Sequence, residues 1–116
     1  SEPDGSNTDS KEHWQRVMQG HAAANIIPVI ASNRIGTETE DEMKIQFYGS
    51  SFITDSKGTI IKEASFDQEE IVYAEFNLEK IEQERTDWAV FRDRRPDLYD
   101  PILTLDGIQK VKRRLE

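Results

Sequence analysis

The amino-acid sequence predicts a layered α/β domain whose sheet is left incomplete, and three observations predict it. Apolar residues from Trp14 to Ala22 recur at the spacing of one helix face, Ile26 to Ala31 is a continuous apolar run of strand length, and Lys44 to Phe76 reads as alternating segments divided by turn formers. Helix, strand and meander in that order are too few elements to cover a strand that is apolar on both faces.

The opening residues Ser1 to Asp9 are rich in turn formers and acids and read as a loop leading into a helix. Asp9 followed by Glu12 approximates a capping box, and Trp14, Val17, Met18, His21 and Ala22 follow the i, i+3, i+4, i+7, i+8 spacing, so a helix is expected over about residues 10–24 with these side chains inward. Ile26-Ile27-Pro28-Val29-Ile30-Ala31 is expected to form a strand covered on both faces, with Pro28 at its start, at a bulge or on an edge, because proline cannot donate to a ladder. Thr37 to Glu42 reads as an acidic loop. Lys44 to Thr54 then reads as one long strand, with Ile45, Phe47, Gly49, Ser51 and Ile53 on one face.

Asp55-Ser56-Lys57-Gly58 has the composition of a tight turn, with Gly58 suited to a left-handed position. Thr59–Ala64 and Ile71–Phe76 are expected to pair as further strands of an antiparallel meander. Asn77 caps a predicted helix from Leu78 to about Trp88, with Leu78, Ile81, Arg85 and Trp88 near one stripe. Trp88 to Tyr99 shows no period and contains Pro96, so it is expected as an extended arm. A short last helix is expected after Asp106-Gly107, with Ile108, Val111 and Leu115 inward.

The chain has 116 residues, enough for one domain with a modest core. Its 23 acidic residues against 15 basic ones give a net charge of −8, which argues against nucleic acid as a partner, since phosphate binding needs a concentrated basic face. The local exception, Lys110, Lys112, Arg113 and Arg114, reads as a solvated helical tail. No apolar run approaches the ~20 residues that cross a bilayer, so no membrane partner is expected, and a soluble, cytoplasmic protein is. The absence of cysteine rules out disulfides and thiolate metal sites within the chain and does not identify a compartment.

Three segments carry a resemblance: His13-Trp14-Gln15-Arg16-Val17-Met18-Gln19-Gly20-His21-Ala22, Ala31-Ser32-Asn33-Arg34-Ile35-Gly36, and Phe91-Arg92-Asp93-Arg94-Arg95-Pro96-Asp97-Leu98-Tyr99. In this order and at these separations the chain resembles the C-terminal part of the carbon–nitrogen hydrolases of the nitrilase superfamily. The first and third segments look most like the N-carbamoylputrescine amidase branch, whereas Ala31–Gly36 and Tyr48-Gly49-Ser50-Ser51-Phe52-Ile53 point only to the superfamily. The resemblance covers Ser1 to about Gly107. It implies one domain portion over residues 1–107, part of an α-β-β-α sandwich, followed by a helical tail over residues 108–116. It also implies a hydrolase acting on N-carbamoylputrescine in polyamine synthesis, homo-oligomeric when complete and needing neither cofactor nor metal. The family's catalytic Glu, Lys and Cys would lie ahead of Ser1, so no catalytic residue is expected in this chain. Other amidases of the superfamily, of the β-ureidopropionase or ω-amidase type, and a non-catalytic scaffold of the same fold stand as alternatives.

What the resemblance leaves to this chain is a wall of the substrate pocket. A distal ammonium on the substrate needs a carboxylate partner, because burying it unpaired is costly, and Glu2 is the first candidate with Asp4 second. Glu2 could equally be an exposed acid in a loop, and for Asp4 that reading is the stronger. Asn33 follows the buried strand, where ligand sites of open α/β sheets lie, and is also an ordinary turn residue. Arg34 is expected to pair with an internal acid. His13 and His21 stand eight apart rather than four and form no helical metal pair, and His21 is expected in the core. Ser50 and Ser51 carry no nucleophile-elbow sequence.

Overall fold

The computed structural model describes residues 2–3 and 9–109. Its first helix, α1, runs Lys11–Asn25. The residue before it is Ser10, whose side chain makes no cap. Asp9 instead accepts from the Lys11 amide at 3.0 Å, so the expected capping box is replaced by a single carboxylate contact one turn position away. Gln15, Ala22 and Ile26 are buried and Trp14 and Met18 half-buried, while Val17 and His21 are exposed. The inward stripe is therefore rotated from the expected one, because Gln15 is drawn inward by a hydrogen bond to Glu63 at 3.0 Å. His21 is a surface residue, correcting its placement in the core.

Ile26 ends α1 at φ 49°, a left-handed conformation unusual for a β-branched side chain and held here by burial. Only Ile30–Ala31 (β2) then forms a strand, with Pro28 ahead of it. The expected six-residue strand is shortened because its first residue is spent closing a helix, and it is not covered on both faces: Ile30 is 73% exposed.

The remaining strands fall into two antiparallel sheets. In the first, β1 (Glu2–Pro3), β3 (Ile35–Glu40) and β4 (Met43–Tyr48) lie in the order β1-β4-β3. In the second, β2, β5 (Phe52–Thr54) and β6 (Ile60–Glu63) lie in the order β2-β5-β6. Thr37–Glu42, expected as a loop, is largely strand β3. Glu40 pairs with Met43 across a tight turn in which Asp41 takes φ 52°, and the β-branched threonines outweigh the acids at an exposed position.

The expected single strand Lys44–Thr54 is two strands in different sheets. The break is Gly49-Ser50, at φ 51° and φ 56°, which turns the chain from β4 to β5. A Cβ at Gly49 would stand 2.6 Å from Ile35 Cγ2 and 2.8 Å and 2.9 Å from the carbonyl oxygens of Phe66 and Ser65. Trp14 packs across this corner, its ring 5.0 Å from Phe52 edge-to-face and 5.9 Å from Tyr48.

β5 and β6 are joined by the expected tight turn. Gly58 takes φ 85° and approaches α1 so closely that a Cβ would stand 2.5 Å from the Gln19 carbonyl oxygen. Gln19 Nε2 donates to the Gly58 carbonyl at 2.8 Å. Ile71–Phe76 pairs with no strand among the described residues, and Ile71 and Tyr73 are exposed. Its alternation is strand-like, but a ladder needs a neighbouring edge that alternation does not supply.

α2 (Leu78–Trp88) starts as expected, with Asn77 Oδ1 accepting from the Lys80 amide at 2.9 Å. Its inward side is Ile81, Glu84 and Arg85, whereas Leu78 and Trp88 are exposed. Beyond it the arm is not extended. It folds into turns and two short 3-10 segments, Pro96–Leu98 and Asp100–Leu103, because its charges pair locally. Arg92 pairs with Asp93 at 2.9 Å and Arg95 with Asp97 at 2.6 Å, and each arginine lowers its partner's carboxyl below the ordinary range. Phe91 is stacked by the guanidinium groups of Arg85 at 4.8 Å and Arg94 at 5.3 Å. The expected terminal helix falls mostly outside the described residues, and Ile108 is exposed rather than inward.

α1 is clamped to β6 by Glu63, which accepts from Lys11 Nζ at 2.8 Å and from Gln15 Nε2. The Lys11 hydrogen bond, partly opposed by desolvation, holds the Glu63 carboxyl below its ordinary 4.5. A carboxyl lowered on folding contributes stability that is present above the unfolded-state pKa and lost as pH falls through the folded one. The loss in Glu63→Gln should therefore be seen at neutral pH and vanish in acid. At 36% side-chain exposure it should be a fraction of a kcal/mol, read as the difference between urea midpoints at the two pH values. A difference that persists unchanged in acid would mean the ionised clamp is not its source.

Candidate functional site

Glu2 is placed by its backbone, opposite Gln46 on β4, which on its other side faces Thr37 of β3. Asp4 lies outside the described residues. Asn33 sits where the chain leaves β2 for β3, and its surroundings are closely defined. Its amide donates to Ser51 Oγ at 2.8 Å, and Ser51 Oγ donates to its carbonyl at 3.2 Å. Asn33 Nδ2 donates to the Gly49 carbonyl at 2.8 Å, and Oδ1 accepts from the Arg34 amide at 2.9 Å. One amide hydrogen and one oxygen lone pair of this side chain remain uncommitted.

This knot extends to the sheet-switching corner. The Gly49 amide donates to the Arg34 carbonyl at 2.9 Å, the Ser50 amide to the Ser65 carbonyl at 3.0 Å, and the buried Ser50 hydroxyl to the Tyr48 carbonyl at 2.9 Å. Sequence reading treated Gly49 to Ser51 as strand interior and missed it. The available signal was the Gly-Ser-Ser run, since glycine inside an alternating segment marks a bend.

Beside the knot opens a cleft of about 130 Å³ lined by Asn33, Ser51, Ser65, Gln68, Glu69 and Glu70. Its outer wall is a turn in which the Gln68 amide donates to Ser65 Oγ at 2.9 Å and the Ser65 amide donates to Glu70 Oε1. Arg34 is turned away from this use. It pairs with Glu38 at 2.6 Å and lies 4.7 Å over the Phe47 ring, as expected of an internal partner. With Glu69 and Glu70 among its lining residues, the cleft disfavours an anion.

The arrangement can hold a polar ligand, and it contains no activated nucleophile. Ser50 is sealed, Ser51 is engaged by Asn33, and His13 and His21 are exposed on α1. Among the described residues no group of three or more His, Asp or Glu is placed to hold a metal ion, and no helix is long and apolar enough to cross a membrane.

Known proteins share this chain's sequence and shape. Over 111 residues it is 54% identical to N-carbamoylputrescine amidase of Oryza sativa subsp. japonica, covering 92% of this chain and 37% of that protein. Over 103 residues it is 55% identical to citrullinase of Francisella tularensis, covering 89% and 36%. The crystal structure of a carbon–nitrogen hydrolase from Helicobacter pylori superposes with a TM-score of 0.75 at 39% identity, over 88% of this chain and 37% of that one. The chain thus spans little more than a third of the length of the relatives it matches. The carbon–nitrogen hydrolase family model matches residues 5–86, which take in α1, strands β2 to β6, the Asn33 knot and most of α2. With family model, sequence relatives and backbone agreeing over the same elements, the chain belongs to the carbon–nitrogen hydrolase family.

Proposed function

We propose that this chain is the part of an N-carbamoylputrescine amidase that forms one wall of its substrate pocket. The observation that carries the reading is the 54% identity to the Oryza sativa protein of that name across nearly the whole chain. In the proposed reaction a thiolate outside this chain attacks the carbamoyl carbon and ammonia leaves. Water then releases the carbamoyl group, which gives carbon dioxide and putrescine. The pocket wall is the contribution of the residues described above: Glu2 as the carboxylate for the distal ammonium, and Asn33, with its remaining donor and acceptor, as a hydrogen-bonding partner of the substrate. The complete protein is proposed to self-associate through the arm, whose Phe91, Leu98 and Tyr99 are exposed.

Citrulline hydrolysis is the second reading, favoured by the comparable identity to the Francisella tularensis protein. Citrulline shares the ureido group and an ammonium but adds a carboxylate, which needs a free cation. Arg34 is already committed to Glu38 and Phe47, which weighs against this reading.

The test is a chimera in which this chain replaces the matching segment of the Oryza sativa enzyme. It should hydrolyse N-carbamoylputrescine with a higher kcat/KM than citrulline or N-butylurea. Glu2→Gln in that chimera should lower kcat/KM for N-carbamoylputrescine by at least about 30-fold relative to N-butylurea, since losing one partner of a desolvated ammonium–carboxylate pair costs about 2–5 kcal/mol. Equal losses on both substrates would remove Glu2 from ammonium recognition, and a preference for citrulline would select the second reading.

A further inference from the structure

A cleft of about 210 Å³ lies away from the Asn33 knot, between the end of α1, the β5–β6 turn and α2. It is lined by Ala23 and Ile26 at the end of α1, Ser56 and Lys57 of the turn, and Glu84 and Trp88 of α2. Glu84 and Trp88 stand four residues apart on α2 and so share one face. The Trp88 indole is 71% exposed and has no ring or cation partner among the described residues.

The two charges at this cleft are not used on each other. Ser56 Oγ donates to Glu84 Oε2 at 2.8 Å, which fixes that carboxylate and leaves Oε1 uncommitted. No ion pair joins Lys57 to Glu84 or to another carboxylate among the described residues. The Lys57 backbone amide donates to Asp55 Oδ1 at 2.9 Å, which fixes the point at which its side chain leaves the turn beside the cleft.

We propose that this cleft binds a small zwitterionic amino acid with an apolar side chain, its ammonium on Glu84, its carboxylate on Lys57 and its side chain against Trp88, Ala23 and Ile26. A ligand bearing only an ammonium would satisfy Glu84 and be repelled by Lys57, and one bearing only a carboxylate would meet the reverse. A zwitterion satisfies both, and each contact is a charge-assisted hydrogen bond. The volume lies below the ~300–1,000 Å³ of sites for drug-sized ligands and suits one small metabolite. The proposal goes beyond the amidase reading and does not depend on it.

The experiment follows the two tryptophan indole N–H resonances of the 116-residue chain by proton–nitrogen NMR, assigned with Trp88→Phe, during titration with L-leucine. Trp88 should shift saturably and Trp14, packed on Phe52, should not. Isoamylammonium and isocaproate, which lack one charge each, should bind about tenfold more weakly or worse. Glu84→Gln should bring L-leucine down to the affinity of isocaproate, and Lys57→Met to that of isoamylammonium. No saturable shift with L-leucine, equal affinity for the three compounds, or a Trp88 shift that tracks protein concentration instead of ligand would each overturn the proposal; the last would show the indole to be covered by a second copy.

Discussion

Incubated alone with N-carbamoylputrescine, the 116-residue chain should release no ammonia. A carbamoyl-enzyme requires a nucleophile that attacks a poorly electrophilic ureido carbon, and a thiolate does this where an unactivated hydroxyl does not. The chain has no cysteine. Its best-placed hydroxyls are engaged: Ser50 is 1% exposed and donates to the Tyr48 carbonyl, and Ser51 is held by Asn33. Enzymatic rate accelerations begin at about 10⁶-fold, so the difference between a complete and an absent nucleophile is all or none in a coupled ammonia assay. Turnover that co-purifies with the chain through successive columns would show that this site assignment is wrong.

Gly49→Ala should be among the most damaging single substitutions in the chain. The added methyl meets Ile35 Cγ2 at 2.6 Å and two backbone carbonyl oxygens below 3.0 Å, and the Ser65 carbonyl, held by the Ser50 amide, cannot move aside cheaply. The left-handed φ adds strain for any residue with a Cβ. Together these should cost roughly 3 kcal/mol, measured as a lowered urea midpoint by circular dichroism. Gly20→Ala is the internal control: it lies within α1 with nothing within 4 Å of the added Cβ, and should stabilise by about 0.5–1 kcal/mol. If the two variants unfold at the same urea concentration, the corner does not hold the sheets as described.

Much of the fold was legible because local chemistry decided it. Asn77 capping α2, the turn at Asp55–Gly58 with its left-handed glycine, and Arg34 paired to an acid all follow from residue type and spacing. The failures share a different cause. Ile26 closes a helix in a conformation its side chain disfavours, which only tertiary burial makes tolerable. Ile71–Phe76 alternates like a strand but finds no edge among the described residues, and Lys44–Thr54 alternates across a corner that belongs to two sheets. Alternation records which faces differ in polarity, whereas sheet membership depends on neighbours far away in sequence. For the site, Asn33 was visible as a residue at a strand end. Its coupling to Ser51 and Gly49, 18 and 16 residues away, was not.

The hairpin of β3 and β4 is held at its base and, through β1, at Ile45 and Gln46 of β4, while its tip is not. Its base is tied to the corner by the Gly49–Arg34 bond and the Ile35↔Tyr48 rung, and its tip at Asp41–Glu42 is exposed. Each rung nearer the tip repeats the same antiparallel geometry, so removing or adding opposed residues there, two rungs at a time to keep the pleat, leaves the base and the Asn33 knot where they are. Lineages descended from a common ancestor can therefore lengthen or trim this ribbon without disturbing the Asn33 knot, and the tip is where insertions and deletions should accumulate while Gly49 and Asn33 stay in step.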